Sequence, residues 1–216
     1  MRLPNFDRIA FAYDALKYLV FGGSLHQAQT FLVPFIPTCS DILIIGGGTG
    51  QIILDIVETK EIKQITYVEL SKNMLEAARD RVKSYSNINF VLGSVDQLGA
   101  AQSFDVILTP FVLDLYSDGA LDPIMRSLDS LLRSGGIWMN TDFKVSTKFG
   151  WKMIWQLALV KSMYVFFALM SNLSVFRLPD YDRAFRRLGF KTVQQNSFFG
   201  GLVHSQIWER GISPKL

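Results

Sequence analysis

The stretch Ile42-Leu43-Ile44-Ile45-Gly46-Gly47-Gly48-Thr49-Gly50 decides how this chain folds. An unbroken run of β-branched residues and Leu ended by glycines reads as a strand buried on both faces. Glycines at 46, 48 and 50 allow a tight turn and let a ligand approach the backbone. The helix expected from about Gly50 to Val57 offers its free N–H groups at the same place. The segment therefore reads as a nucleotide-type cradle, although an ordinary strand-to-helix turn also accounts for three glycines. A dinucleotide fingerprint puts its third glycine one position later, where this chain has Gln51, and the Gly-Lys-Ser/Thr of a P-loop is missing.

Downstream, strands and helices alternate. Gln64 to Leu70 reads as a strand, and Ser71 to Ser84 as a helix with Ser71 as N-cap and Met74, Leu75, Ala78 and Val82 on its buried face. Strands follow at Ile88 to Leu92 and Phe104 to Leu108. A helix from Leu121 to Leu132 closes at Ser134-Gly135-Gly136, and a strand runs from Ile137 to Phe143. Parallel neighbours need long, usually helical crossovers, so this order implies an α/β fold with a mostly parallel sheet. At the end, Phe190 to Gln195 and Leu202 to Glu209 flank Asn196-Ser197-Phe198-Phe199-Gly200-Gly201, which reads as a hairpin. Upstream, Phe6, Ile9, Ala10, Tyr13, Leu16 and Val20 form a helical stripe. A second short helix is expected from Ser24 as N-cap through Phe31, making residues 1–37 a helical preamble.

Two acids stand at strand ends where ligand chemistry needs them. Glu69 closes the second strand, 19 residues after Gly50, where a carboxylate can accept from both hydroxyls of a ribose. Asp96 follows the third strand in Gly93-Ser94-Val95-Asp96 and can accept from an adenine amino group. The bland alternatives are a solvated strand end and a helix cap.

Composition narrows the function classes. With 216 residues, 49% of them hydrophobic, the chain has the size of one sizeable domain. Charged residues reach only 19%, while 17 Phe, 7 Tyr and 4 Trp make it oily. A net charge of +3 without any dense basic block gives no reason to expect a nucleic-acid partner. One cysteine, Cys39, excludes an internal disulfide and suits a reducing compartment, so a cytoplasmic location is expected, and no export signal is visible. Two histidines and one cysteine supply no metal site.

Taken in order, these segments resemble the Rossmann-like class I methyltransferases, which use S-adenosylmethionine. Ile42 to Gly50 resembles the family's glycine motif, Tyr67-Val68-Glu69-Leu70-Ser71 with Met74-Leu75 its ribose motif, and Gly93 to Asp96 its adenine motif. Phe104-Asp105-Val106-Ile107 and Leu131-Leu132-Arg133-Ser134-Gly135-Gly136 resemble the fourth strand and the turn before the fifth. The opening Phe6-Asp7-Arg8-Ile9-Ala10 with Tyr13-Asp14 is similar to the N-terminal helix of quinone and other small-molecule methyltransferases. The resemblance implies a three-layer αβα sandwich whose seven strands run in the order 3-2-1-4-5-7-6, the last antiparallel. It implies S-adenosylmethionine contacts from Gly46, Gly47, Gly48, Gly50, Glu69, Leu70, Met74, Ser94, Val95 and Asp96. Thr109, Pro110 and Phe111 would form the far wall, and Tyr13 would lie near the carboxylate end. One departure is Ile44, where the family often has an acid. The loop also resembles that of spermidine-synthase-like aminopropyltransferases, which use decarboxylated S-adenosylmethionine; Thr49 stands where those usually carry Asp.

The acceptor is addressed by Trp151 to Phe176. Its longest uncharged run, Ser162 to Phe176, is 15 residues, short of the roughly 18–20 of a membrane-spanning helix. Lys152 and Lys161 fall on opposite sides of a helix, leaving no continuous polar face. The segment must therefore be covered. Because it lies between the fifth strand and the terminal hairpin, where the enzymes it resembles insert substrate-binding elements, residues 146–180 are expected to form a helical cap over a greasy pocket for a small apolar or aromatic acceptor. Burial in a homodimer interface or contact with a membrane surface are the rival covers, and a non-catalytic cofactor-binding protein is the rival function. Methyl transfer needs mainly in-line approach in a dry pocket. Asp114, Tyr116, Asp142 and His26 are candidates for orienting or deprotonating the acceptor, with no catalytic residue singled out.

Overall fold

The computed structural model describes residues 20–99, 102–146, 149–171 and 177–211. Seven strands form one sheet: β1 (Asp41–Ile45), β2 (Gln64–Glu69), β3 (Ile88–Leu92), β4 (Phe104–Pro110), β5 (Leu132–Phe143), β6 (Phe190–Phe198) and β7 (Val203–Arg210). Their order is β3-β2-β1-β4-β5-β7-β6, with β7 antiparallel to both neighbours and the other pairings parallel, as the resemblance implied. The helices are α1 (Ser24–Thr30), α2 (Gln51–Thr59), α3 (Lys72–Arg81), α4 (Asp118–Leu131), α5 (Trp151–Ser171) and α6 (Tyr181–Arg187).

Strand alternation divides the core into two layers. Ile42, Ile44, Val106, Leu108 and Met139 pack toward α2 and α3, against Ile52, Ile53, Ile56, Leu75 and Ala78. Leu43, Ile107, Trp138 and Trp208 point the other way, toward Leu121, Met125 and Leu128 of α4 and Phe185 of α6. Phe185 stacks on Trp208 at 4.4 Å between ring centroids and meets Trp138 edge-on at 4.9 Å. Three layers result because both faces of the central strands are apolar and each needs a cover.

Several boundaries differ from the sequence reading. The helix at Ser24 is capped by Gly23 with no side-chain hydrogen bond, so Ser24 is its first residue rather than its cap. The turn expected at Ser134-Gly135-Gly136 lies within β5, which begins directly after α4. There the register against β4 jumps between Phe104 and Val106, because residues 133–136 bulge outward. Gly136 is required at the bulge, since a Cβ would sit 2.9 Å from the Asp105 carbonyl oxygen. The hairpin strand β6 runs on to Phe198, leaving only Phe199–Gly201 as the turn. Helix α6 was not anticipated, although Asp180 caps it by accepting from the Arg183 N–H at 3.0 Å. Ser71 caps α3 as expected, accepting from the Met74 N–H at 3.3 Å.

At the amino ends of the strands, Arg133 donates to Asp105 at 2.7 Å and to Asp41 at 2.8 Å, and Lys63 also reaches Asp41 at 2.7 Å. These charges pin the starts of β1, β4 and β5 together. The carboxyl ends of the same strands are left for the site.

Candidate active site

Loop 46–50 leaves β1 at its carboxyl end. Gly46, Gly48 and Gly50 all have positive φ, at 68°, 62° and 81°, where an L side chain is disfavoured. Two neighbours hold the turn. The Gly46 N–H donates to the Val68 carbonyl at 2.9 Å, and the Tyr67 hydroxyl donates to the Gly48 carbonyl at 2.6 Å. Gly50 packs against α3, its Cβ position lying 2.7 Å from Ala78 Cβ. At Gly48 an added Cβ would meet nothing within 4 Å, because this residue faces open cleft.

Glu69, only 6% exposed at the end of β2, accepts from the Gly48 N–H at 3.3 Å and from the Ser71 N–H at 3.0 Å. Its carboxylate is thus oriented by backbone donors and remains on the cleft wall. Gly46, Gly47, Gly48, Glu69, Leu70, Met74, Ser94, Val95, Pro110 and Phe111 all line one cleft of about 300 Å³. Asp96 stands exposed beside it, accepting from the Ser94 hydroxyl at 3.1 Å. Tyr13 lies outside the described residues.

Thr109 is placed differently from the expectation of a wall residue. It is wholly buried, donating to Asn140 Oδ1 at 2.8 Å and accepting from Trp138 Nε1 at 3.0 Å. The alternation of β4 puts it on the side of Ile107, away from the cleft. Phe111 instead turns the chain with φ 57°, a left-handed conformation held by its N–H on the Thr141 carbonyl at 2.7 Å. Ile44 is fully buried among the α2-side core residues, so this position offers the cleft no polar group.

The far half of the cleft is apolar. Phe21 and Leu25 come from the α1 region, Phe143 from β5, and Leu159, Val160 and Met163 from α5. Together with Leu202 and Val203 these form a separate apolar cluster over the carboxyl ends of the strands. The sequence marked the segment holding Leu159, Val160 and Met163 as a cap over an apolar pocket but singled out no lining side chain, since an isolated apolar residue carries no chemical signature. Helix α5 contributes its Val160 and Tyr164 side to this cluster, while Trp151, Ile154 and Leu157 are exposed. No helix among the described residues is long and apolar enough to cross a membrane.

The four acid–base candidates separate sharply. His26 is surface-exposed and paired with Asp55 at 2.8 Å. Tyr116 lines the cleft, its phenol raised by burial and by the Asp96 charge. Asp114 and Asp142 are buried, 5% and 0% exposed, and adjoin each other. Asp142 accepts from the N–H groups of Leu113, Asp114 and Phe143 at 3.1, 3.3 and 3.1 Å. Burial pushes the Asp114 carboxyl up to about 6. Burial, reinforced by the Asp114 charge, holds Asp142 well above the usual carboxylate range. Two neighbouring buried carboxyls cannot both ionise cheaply, so the pair retains a proton toward neutral pH.

A methyltransferase-domain family model matches residues 42–136, from β1 to the bulge in β5. Malonyl-[acyl-carrier protein] O-methyltransferase 2 of Ilyobacter polytropus is 24% identical over 147 residues, covering 67% of this chain and 54% of that protein. Demethylmenaquinone methyltransferase of Staphylococcus haemolyticus is 26% identical over 153 residues, covering 65% and 63%. The chain thus spans somewhat over half the length of these curated relatives. Among solved structures, the SAH (S-adenosylhomocysteine) complex of DhpI superposes with a TM-score of 0.70 at 13% identity, covering 96% of this chain and 94% of the other. The family match begins at the strand that feeds the glycine loop, and the full sheet order agrees with it. Residues 42–136 thus match a methyltransferase-domain family, and the sheet order is that of the class I, Rossmann-like methyltransferase fold.

Proposed function

We propose that the protein transfers a methyl group from S-adenosylmethionine to a small, predominantly apolar or aromatic acceptor. The observation that carries this reading is the two-ended cleft. One end has the open backbone of Gly46 to Gly48 and the oriented Glu69 carboxylate; the other has Phe21, Leu25, Phe111, Phe143, Leu159 and Met163.

The residues fit the cofactor. Glu69 would take the ribose hydroxyls, Ser94, Val95 and Asp96 the adenine edge, Leu70 and Met74 the adenosine faces, and the Gly46–Gly50 backbone the methionine portion. When bound, S-adenosylmethionine supplies a sulfonium-activated methyl group, so the protein's task is to position the acceptor and keep water out. In this reading residues 1–216 act as one domain, with 146–180 as the cap that closes the apolar end. Of the relatives' names, demethylmenaquinone fits an apolar aromatic acceptor, whereas a malonyl group on an acyl-carrier protein presents a carboxylate, so the names select no acceptor.

Calorimetric titration with S-adenosylmethionine, SAH and decarboxylated S-adenosylmethionine tests the first half. One-to-one binding of the first two is expected. Preference for the decarboxylated compound would favour aminopropyl transfer, and no binding by any would overturn the reading. Methyl-label transfer to apolar and to polar acceptor panels tests the second half, which exclusive turnover of polar acceptors would sink.

A further inference from the structure

The outer face of α5 is apolar where the surface of a solvent-facing helix is ordinarily charged. Trp151 is 79% exposed, Ile154 47% and Leu157 38%, and Phe149, just before the helix, is 87% exposed. Spaced by three, Trp151, Ile154 and Leu157 share one side of the helix, while Gln156, Val160 and Tyr164 are buried against the protein. Large apolar side chains gathered on one exposed patch mark an interaction surface.

The charges around the patch say what it meets. From Lys144 to Pro179 the sequence has no Asp or Glu, against Lys144, Lys148, Lys152, Lys161 and Arg177. Lys144 is held by Asp182, but Lys152 and Lys161 are exposed and make no ion pair among the described residues. Lys152 even stands in the first turn of α5, where the helix dipole favours an acid, so it does not serve the helix. A second copy of this chain is a poor occupant, because a two-fold contact would set these lysines against themselves with no acid in the segment to meet them. The partner must be negative at its surface and apolar just beneath. Phe149 and Trp151 project from the start of the helix rather than line a groove, which suits a fluid surface better than a fitted protein pocket. Aromatic side chains beside lysines are those that settle at the headgroup level of a bilayer.

We infer that the outer face of α5 docks on a bilayer surface carrying anionic headgroups, with Phe149 and Trp151 entering the boundary between headgroups and chains and Lys152 and Lys161 resting on the phosphates. The helix lies along the surface, since no helix among the described residues is long and apolar enough to cross a membrane. Its inner face lines the apolar end of the cleft with Leu159, Val160 and Met163. Docking therefore holds that end beside the lipid phase, where an apolar acceptor is most concentrated. This last consequence rests on the apolar-acceptor reading of the cleft; the docking itself does not.

Sedimentation of the full chain with vesicles of phosphatidylcholine, alone or mixed with phosphatidylserine, tests the docking with neither cofactor nor acceptor present. Binding to the mixed vesicles is expected to be at least about ten-fold tighter than to phosphatidylcholine alone, and to weaken as salt is raised. Lys152→Gln with Lys161→Gln should reduce it at least about five-fold, the effect of one lysine near an anionic surface. Phe149→Ser with Trp151→Ser should reduce it about ten-fold or more while SAH affinity stays native, because both side chains are exposed and outside the cleft. No vesicle binding, equal binding to the two compositions, or binding that survives the Phe149 and Trp151 substitutions would each overturn the proposal. So would a dimer, seen by light scattering, that the same substitutions dissolve, since the face would then join two copies of the chain. Failure of SAH to bind the native protein strikes the methyltransferase reading and leaves the vesicle result standing, so the two failures are told apart.

Discussion

Replacing Gly46 by Ala should expose how the glycine loop is built. Gly46 has φ 68°, and a Cβ there would lie 2.5 Å from Val112 Cγ2, a side chain only 6% exposed and packed below the cleft. Holding an L residue in the left-handed region costs about 1 kcal/mol, and forcing a methyl into packed surroundings costs about 1–3 kcal/mol more. We predict that Gly46→Ala loses about 2–4 kcal/mol of stability and, for a chain of this size, about 4–16 °C in Tm. Urea unfolding of four proteins measures this: native, Gly46→Ala, Val112→Ala and the double variant. Val112→Ala removes the colliding methyl but not the φ strain. The double variant should therefore be less destabilised than the sum of the singles by about 1–2 kcal/mol. A Gly46→Ala protein within about 0.5 kcal/mol of native, a size usual for harmless surface changes, would refute the geometry. Strict additivity in the double variant would refute the Val112 contact in particular.

Three further predictions follow from the same region. Tyr67→Phe removes the donor to the Gly48 carbonyl, and should cost about 1 kcal/mol in unfolding experiments and weaken SAH binding, with the sheet unchanged by circular dichroism. Glu69→Gln places an amide where two backbone N–H groups need acceptors; SAH affinity should drop at least about ten-fold, and unchanged affinity in calorimetry would contradict a ribose role. The buried acids should make stability fall as pH rises. Asp114 is raised to about 6 and Asp142 well above the usual carboxylate range, so above the ordinary carboxylate range near 4 the native state holds more protons than the unfolded one. Their penalty is therefore absent at pH 4 and grows through pH 6 and above. Asp114→Asn should gain on the native protein by on the order of 1–3 kcal/mol across that window, and parallel urea midpoints from pH 4.5 to 7.5 would disprove it.

Much of the fold was legible locally. The run Ile42–Ile45 is apolar on both faces, so it belongs in the middle of a parallel sheet, and it occupies the centre of this one. Ser71 capping α3, Glu69 ending β2 and Ser94-Val95 following β3 depend on residues adjacent in sequence, and their positions were readable for that reason. The burial of Thr109 follows from strand alternation as well: counting by two from Ile107 turns it inward, toward Trp138. Helix α6 had its capping Asp180 in view, but seven residues with few apolar positions give a weak period.

By itself the sequence determined the alternation of elements, the glycine turn and the acids at the strand ends, because each is set by side chains within a few positions of one another. Tertiary structure alone decided the rest. Asp114 and Asp142 are 28 residues apart and meet only because β5 lies beside β4. The apolar end of the cleft gathers Phe21, Phe111, Phe143 and Met163 from four separate segments. Hydrophobic residues show in sequence that they will be buried. Which of them face an internal cleft rather than one another depends on how sheet and helices pack, and that packing is non-directional, so no local pattern records it.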